Sequence, residues 1–331
     1  MRRSTIAFSV LVACALGAMA HTAAAQGTAS YPNKPIRLVI PFAPGGASDL
    51  VGRIIAPRWS ELAGQNILVE NRAGASGNIG LETAAKSAPD GYTLFLGNVG
   101  TTAINPSLYK TTLAVVPTRD FVPITQVVDV PSALVANPSF PPNNAKELIA
   151  YVKAAPGKFF FGSPGPGSAN RLEMERFMKS SGIQMVHVPY KGGAGPAITG
   201  LLGGETSVMF VTLSSAASQV RGGKLKLLAV AAPQRVNAFP NTPTLSEEGL
   251  QEMTNGSWQG VFAPAGTPPE VVAKLYATLQ QVMETPDVKK RLNDSGVDVV
   301  TSKSPEEFAA FLRAETERWA QVVKDSGATV D

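Results

Sequence analysis

The sequence predicts an α/β fold of two lobes, each a mainly parallel sheet flanked by helices, with a ligand cleft between the lobes. Three observations predict it. Short apolar runs alternate with helix-like segments along most of the chain. Proline-rich stretches interrupt that rhythm in the middle and again later. Two glycine-rich turns of similar make-up, Pro41–Asp49 and Gly162–Arg171, follow a strand-like run in each proposed lobe.

The chain starts outside that pattern. Arg2 and Arg3 precede an apolar run, Ile6–Met19, and Ala23-Ala24-Ala25 stands before Gln26. That order is a secretory signal peptide with an A-x-A cleavage site, so residues 1–25 are expected to be removed on export. A membrane anchor is the weaker reading, because the run falls short of the roughly 20 residues that a bilayer needs. Leu11-Val12-Ala13-Cys14 has the form of a lipoprotein processing site, a second way of cutting the same leader. Arg2-Arg3 resembles a twin-arginine signal, but its flanking residues fit poorly.

Removing residues 1–25 turns 29 basic and 25 acidic residues into 27 and 25, so the net charge falls from +4 to +2. This balance argues against nucleic acid or an acidic membrane as a partner. Cys14 is the only cysteine, and His187 is the only histidine beyond the leader. A disulfide framework, a cysteine nucleophile and a His/Cys metal cluster are therefore excluded. No loop gathers the acids of a calcium site. No cofactor and no metal are expected.

After the leader, Ile36–Ile40 reads as a buried strand, Asp49–Leu62 as a helix, Ile67–Glu70 as a strand, Ile79–Ser87 as a helix and Thr93–Leu96 as a strand. Past Pro131 come strand Ala133–Ala136, helix Ala145–Ala154, strand Phe159–Phe161, helix Ala169–Ser181, strand Met185–Val188 and helix Pro196–Leu202. Thr206–Val211 and Leu225–Val230 are strands, and three helices follow over Glu270–Glu284, Val288–Asp294 and Glu306–Asp325. Such alternation argues an α/β fold. Ser304-Pro305-Glu306-Glu307, Thr244-x-x-Glu247 and Asn144-x-x-Glu147 have capping signatures. The breaks Val116–Pro123, Phe140–Pro142 and Arg235–Pro243 surround two lobe crossings, near Pro131 and Gly256. Residues 32–131 with 256–331 would form the first lobe and 132–255 the second, with the C-terminal helices packed on the first.

A third glycine loop, Tyr190–Pro196, joins the two already named. All three lie where a strand hands over to a helix. The first N–H groups of a helix lack partners within it and sit at the positive end of its dipole. Glycine lets a ligand approach that backbone. A carboxylate there accepts several N–H bonds without any lysine, and ligands of open α/β sheets bind at the carboxyl ends of strands. The plainer reading, that the glycines only make tight turns, is weaker for two matching loops than for one. Neither a Walker loop nor a dinucleotide fingerprint is present. His187 sits in an apolar run and reads as a core or strand-end histidine. Ser163 and Ser168 lack plausible triad partners, and no carboxylate pair stands out for glycoside chemistry.

Ile36-Arg37-Leu38-Val39-Ile40-Pro41-Phe42-Ala43-Pro44-Gly45-Gly46 resembles the opening of the Bug (TctC-like) substrate-binding proteins, extracytoplasmic receptors of tripartite tricarboxylate transporters. Asn71-Arg72-x-Gly74-Ala75-x-Gly77-Asn78-Ile79-Gly80, Asp90-Gly91-Tyr92-Thr93-Leu94 and Ile104-Asn105-Pro106-x-Leu108-Tyr109 continue the resemblance. His187-Val188-Pro189-Tyr190-Lys191-Gly192-Gly193 and Phe262-Ala263-Pro264-Ala265-Gly266-Thr267-Pro268 complete it, over about residues 32–325. The resemblance implies a periplasmic binding fold of type II-like form that closes on an organic acid, often with bridging waters. Carried onto this chain, it points to Phe42, Ala43, Gly45, Gly46, Ser48 and Asp49 in the first loop. In the second loop it points to Ser163, Gly165, Gly167, Ser168, Asn170 and Arg171. Asn98 and Thr101 join them after the third strand, with Tyr190 and Val211 on the closing side.

Three positions depart from the family pattern. Arg171 stands where His is usual, Ser207 where Asp is usual, and Val211 at the following acidic position. One cation gained and two acids lost would make a more positive wall, suited to a second negative group; the alternative is that Arg171 faces solvent. The implied function is a periplasmic solute-binding protein, not an enzyme. It would capture a small carboxylate by lobe closure, deliver it to membrane transporter subunits, and work as a monomer. A periplasmic sensor feeding a signalling partner is the alternative, and an exported hydrolase a more distant one.

Overall fold

The computed structural model describes residues 31–326 apart from 233, 252, 254 and 255. The leader predicted over residues 1–25, with Cys14, lies outside the described residues. From Lys34 onward the chain clusters as a single unit. Within it the chain builds two sheets in turn and then returns to the first.

The first pass gives β1 (Ile36–Ile40), α1 (Ala47–Ala63), β2 (Ile67–Asn71), α2 (Asn78–Ala85), β3 (Thr93–Asn98) and β4 (Phe121–Val130). The chain then forms β5 (Ser132–Ala136), α3 (Ala145–Lys153), β6 (Phe160–Ser163), α4 (Ala169–Ser181) and β7 (Val186–Pro189). It continues with α5 (Ala194–Leu202), β8 (Val208–Thr212), α6 (Leu213–Arg221) and β9 (Lys226–Ala231). On its return it adds β10 (Ser257–Pro264), α7 (Pro269–Glu284), α8 (Pro286–Asp294), β11 (Asp298–Val299) and α9 (Pro305–Ser326).

The six-stranded sheet has the order β11-β4-β10-β3-β1-β2 and the five-stranded one the order β7-β6-β8-β5-β9. Strands joined through helices, such as β1 to β2 and β6 to β7, pair in parallel, as a crossover connection requires. Each sheet also holds a reversed strand between two others. β10 runs antiparallel to both β3 and β4, and β5 antiparallel to both β8 and β9. These are the first strands laid down after each passage between sheets. Both sheets are thus mixed in pairing, although most of their strands point one way.

Two passages join the sheets. A single residue, Pro131, separates β4 from β5, and the return runs through Gly256 into β10. The two run against each other: an added Cβ at Gly256 would stand 2.5 Å from the Val130 carbonyl oxygen. The Pro131 carbonyl accepts from the Leu213 N–H at 2.8 Å, tying the start of α6 to the passage.

β4 and β10 were not legible as strands. Pro123 lies inside β4, opposite Phe262 and beside an irregularity of register. It is tolerated because β11 pairs only with Val128 and Asp129, so β4 is an edge at its start. The three predicted caps form. Glu147, Glu247 and Glu307 N–H groups are accepted by Asn144 Oδ1 at 2.8 Å, Thr244 Oγ1 at 3.1 Å and Ser304 Oγ at 3.2 Å.

The last helix closes the first sheet's core. Phe308 of α9 is fully buried and packs on Phe262 at 5.1 Å and on Trp258 at 5.9 Å between ring centroids. Gly260 makes room for it, since a Cβ there would lie 2.2 Å from the Phe308 ring. Phe308→Ala is expected to cost roughly 3–5 kcal/mol of stability, read by urea unfolding. A loss under about 1 kcal/mol would show that α9 docks elsewhere.

Candidate functional site

A cavity of about 50 Å³ lies between the sheets, on a measure by which one water needs roughly 10–15 Å³. Its walls are the carboxyl ends of β1, β3, β6 and β8, where open α/β sheets place their ligands. Because β10 runs backwards, its beginning rather than its end reaches the cavity, through Ser257 and Gln259.

Helix beginnings dominate the wall. Gly46 is the N-cap of α1, Ser168 of α4 and Thr212 of α6, and Ala194 is the first residue of α5; all four line the cavity. No side chain caps α1, α5 or α6. Each such end carries about half a positive charge from its dipole and N–H groups free for an anion. Every side chain that lines the cavity among the described residues is neutral.

The first loop is held from behind by Asp49. Its carboxylate accepts from the Gly45 N–H at 3.1 Å, from Arg53 Nε at 2.9 Å and from Asn71 Nδ2 at 3.1 Å. Asn71 also donates to the Phe42 carbonyl at 2.9 Å. Burial opposes ionisation of Asp49, but these hydrogen bonds and the Arg53 charge hold its pKa below the ordinary carboxylate value. Asp49 therefore shapes the loop while Phe42, Gly46, Ala47 and Ser48 face the cavity.

In the second loop the hydroxyls are used by the protein. Ser168 Oγ donates to the Gly165 carbonyl at 2.8 Å and accepts from the Arg171 N–H at 3.2 Å. Ser163 is fully buried, and its Oγ lies 2.7 Å from His187 Nε2. A Ser–His pair thus exists where the sequence offered Ser163 no plausible partner. It lies off the cavity, with Ser163 Oγ also accepting from the Gly165 N–H at 3.2 Å and His187 stacked on Phe161 at 4.9 Å. Asn170 lines the cavity, and its Nδ2 donates to Ser132 Oγ and to Glu173 Oε2, each at 2.9 Å. Ser132 Oγ donates to the same Glu173 oxygen at 2.6 Å. Burial of Glu173 pushes its pKa up to about 7, against those two hydrogen bonds and the charge of Arg176.

The lobes meet on both sides of the cavity. On one side the Ala43 N–H donates to the Gly192 carbonyl at 2.9 Å. On the other, the Gly167 N–H reaches Ser76 Oγ at 3.5 Å, and Tyr109 donates to the same oxygen at 2.8 Å. Ser76 sits in a run of four positive φ values, Gly74 at 130°, Ala75 at 46°, Ser76 at 53° and Gly77 at 91°. Left-handed non-glycine residues cost of order 1–3 kcal/mol each, and such strain gathers at ligand clamps.

Residues 51–328 match the family described as the tripartite tricarboxylate transporter family receptor. The chain belongs to that family. It is 35% identical over 317 residues to Protein BugT of Bordetella pertussis strain Tohama I, covering 94% of this chain and 95% of the relative. It is similar to the structure of periplasmic binding protein BugD, with 36% identity and TM-score 0.86 over 90% of this chain and 99% of that one. MatC from Rhodopseudomonas palustris, solved with bound malate, gives 34% identity and TM-score 0.83 over 88% of this chain and all of that one.

Of the site residues expected in this receptor, Phe42, Gly46, Ser48, Asn98, Gly167, Ser168 and Asn170 line the cavity. Ala43, Gly45, Asp49, Thr101, Ser163, Gly165, Arg171, Tyr190 and Val211 do not. Ala43 and Gly45 carry the loop's lobe contact and its tie to Asp49. Thr101 is fully buried, and its N–H donates to Asn98 Oδ1 at 3.0 Å. Gly165 faces Ser76, 2.8 Å from where a Cβ would stand. Tyr190 lies against Gly200 of α5 and donates to Glu205 at 2.8 Å, and Val211 is core.

The positive wall expected from the family departures does not form. Arg171 turns to the Pro166 carbonyl at 3.3 Å and to Glu175 at 3.7 Å, with its side chain 13% exposed, so it faces neither the cavity nor open solvent. Ser207 precedes β8, whose far end, Thr212, reaches the cavity; five residues of strand span about 17 Å. Ser76, Thr212, Ser257 and Gln259 were missed. Ser257 and Gln259 follow from a strand the sequence did not disclose, and Ser76 from a backbone turn that its Gly74 and Gly77 alone hinted at.

Two outcomes follow from this geometry. A Cβ at Gly167 would lie 2.1 Å from Asn105 Oδ1 across the lobe boundary. Asn105 cannot yield easily, since its Nδ2 is tied to Ser76 O at 3.0 Å and Asn78 Oδ1 at 2.6 Å. Gly167→Ala is expected to weaken ligand binding by about tenfold or more, which is ~1.4 kcal/mol, with little change in the unliganded melting temperature. Unchanged affinity in a titration would sink this reading. Glu173, with an unfolded-state pKa near 4.5 and a folded one of about 7, contributes stability below pH 4.5 that is lost as pH rises through about 7. Glu173→Gln keeps the accepting oxygen without the charge. It should flatten that fall, whose slope is on the order of 1 kcal/mol per pH unit; parallel stability profiles for both proteins would count against it.

Proposed function

We propose that this chain is an exported receptor that captures a small organic acid between its lobes and hands it to a membrane transporter. The lobes would be residues 32–131 with 256–331, and 132–255, closing about Pro131 and Gly256. The observation that carries this reading is the neutral cavity walled by helix beginnings from both lobes. Such a wall attracts an anion without a basic side chain. A ligand gripped by both lobes has differential affinity for the closed state, which closure requires. The malate named with the MatC structure supports a carboxylate.

Receptor and not hydrolase is the reading the site supports. A nucleophile must touch its substrate, and Ser163 beside His187 is buried away from the cavity. No helix among the described residues is long and apolar enough to cross a membrane, which suits a receptor that meets its transporter as a separate partner.

A thermal-shift panel of mono-, di- and tricarboxylates tests the reading. An acid at a hundred times its Kd should add about 2.7 kcal/mol, roughly 5–10 °C in Tm, and be recovered unchanged. Radiolabelled uptake of that acid should fall in a strain lacking the chain. A panel in which no carboxylate moves the Tm would overturn the proposal, and product formation would revive the hydrolase.

A further inference from the structure

Three primary amides line the cavity, and each carries a donor nitrogen and an acceptor oxygen. Their neighbours decide which end is left for a ligand. Asn98 Oδ1 accepts from the Thr101 N–H at 3.0 Å and from its hydroxyl at 3.1 Å, so Nδ2 is the end that remains. Asn170 Nδ2 donates to Ser132 Oγ and to Glu173 Oε2, each at 2.9 Å, so Oδ1 is the end that remains. Gln259 enters from β10, directly opposite Asn98 of β3. It is only 1% exposed, and its Oε1 is buried with no hydrogen-bond partner among the described residues.

The wall therefore asks two things of a ligand. Asn98 Nδ2 and the N–H groups of the helix beginnings suit a carboxylate. Gln259 Oε1 and Asn170 Oδ1 are acceptors and suit a donor; a carboxylate oxygen against either would set acceptor against acceptor. A buried acceptor left unpaired is costly, and native structures keep few of them without a reason. A ligand O–H or N–H that pairs with Gln259 is such a reason.

We propose that the ligand is an organic acid that carries a hydrogen-bond donor apart from its carboxylate, a hydroxyl or an amino group, and that Gln259 Oε1 accepts from that donor. This rests on the carboxylate reading above and narrows it. Hydroxy acids and amino acids are favoured over unsubstituted acids of the same skeleton.

Calorimetric titration of the purified chain with two matched series tests it: succinate, malate and aspartate, then propionate, lactate and alanine. Within each series a single carbon bears H, OH or NH₃⁺. The better of the two substituted acids should bind at least about tenfold more tightly than its parent, because a site built for a donor is left with an unpaired acceptor when the donor is missing. If none of these binds, the same comparison is made between any acid that raises the Tm and its 2-hydroxy, 2-amino or unsubstituted counterpart. A parent that binds within tenfold of both substituted acids, or more tightly, overturns the inference and leaves the carboxylate reading standing. Failure of every acid to bind removes the carboxylate reading, and this inference with it.

Gln259→Leu gives a second arm. It removes the unpaired acceptor, so the unliganded Tm should hold or rise. Affinity for the substituted acid should fall about tenfold or more while the parent's hardly changes, so that the preference between them collapses. A lower Tm with the preference intact marks Gln259 as structural and overturns its assignment. Gln259→Glu keeps an acceptor oxygen at the same place and adds a negative charge. It should weaken every acid yet keep the preference for the donor-bearing one, and loss of that preference overturns the assignment equally.

Discussion

Four helices begin at the wall of one cavity, and the N–H groups that their first turns leave unpaired are the constraint the rest of the cleft serves. A helix can present those groups only if its capping residue and the loop before it stay clear of the opening. Hence Gly46 caps α1 without a side chain. Hence also the polar residues of the loops turn backwards. Asp49 ties down Gly45, Asn98 ties down Thr101, and Ser168 closes its own turn onto Gly165. The charged groups brace the loops, and the wall itself stays neutral.

The same economy governs the contact between lobes. The loops bring backbone N–H groups across the lobe boundary, from Ala43 to the Gly192 carbonyl and from Gly167 to the Ser76 hydroxyl. At Gly167 the approach excludes even a methyl group, since a Cβ would stand 2.1 Å from Asn105 Oδ1. The passages between lobes are equally spare: one proline on the way out and one glycine against it on the return.

A buried network links cavity to passage. Asn170 on the cavity wall, Glu173 in α4 and Ser132 immediately beyond Pro131 share hydrogen bonds, all buried. Asn170 is thereby tied to residues that adjoin the passage through direct hydrogen bonds. The Ser163–His187 pair belongs to the same class of internal bracing. Its residue types suggest chemistry; its burial assigns it to holding the turn after β6.

Much of this was written locally. Apolar runs of strand length, capping signatures and strand-to-helix glycine turns are short-range features, and so the α/β class, α1, α4 and both principal loops were legible from residues 36–63 and 160–181. What the sequence could not disclose is where side chains point, because that depends on which strands become neighbours. Pro123 hid β4, and with β4 and β10 unread there was no way to place Gln259 opposite Asn98. Arg171 has the charge for a ligand, yet its place in the first turn of α4 and the nearby Glu175 and Pro166 carbonyl turn it aside. Local propensity and capping chose the elements and the backbone grip; the choice between gripping and bracing was made by long-range packing, in which a residue's neighbours and not its type set its role.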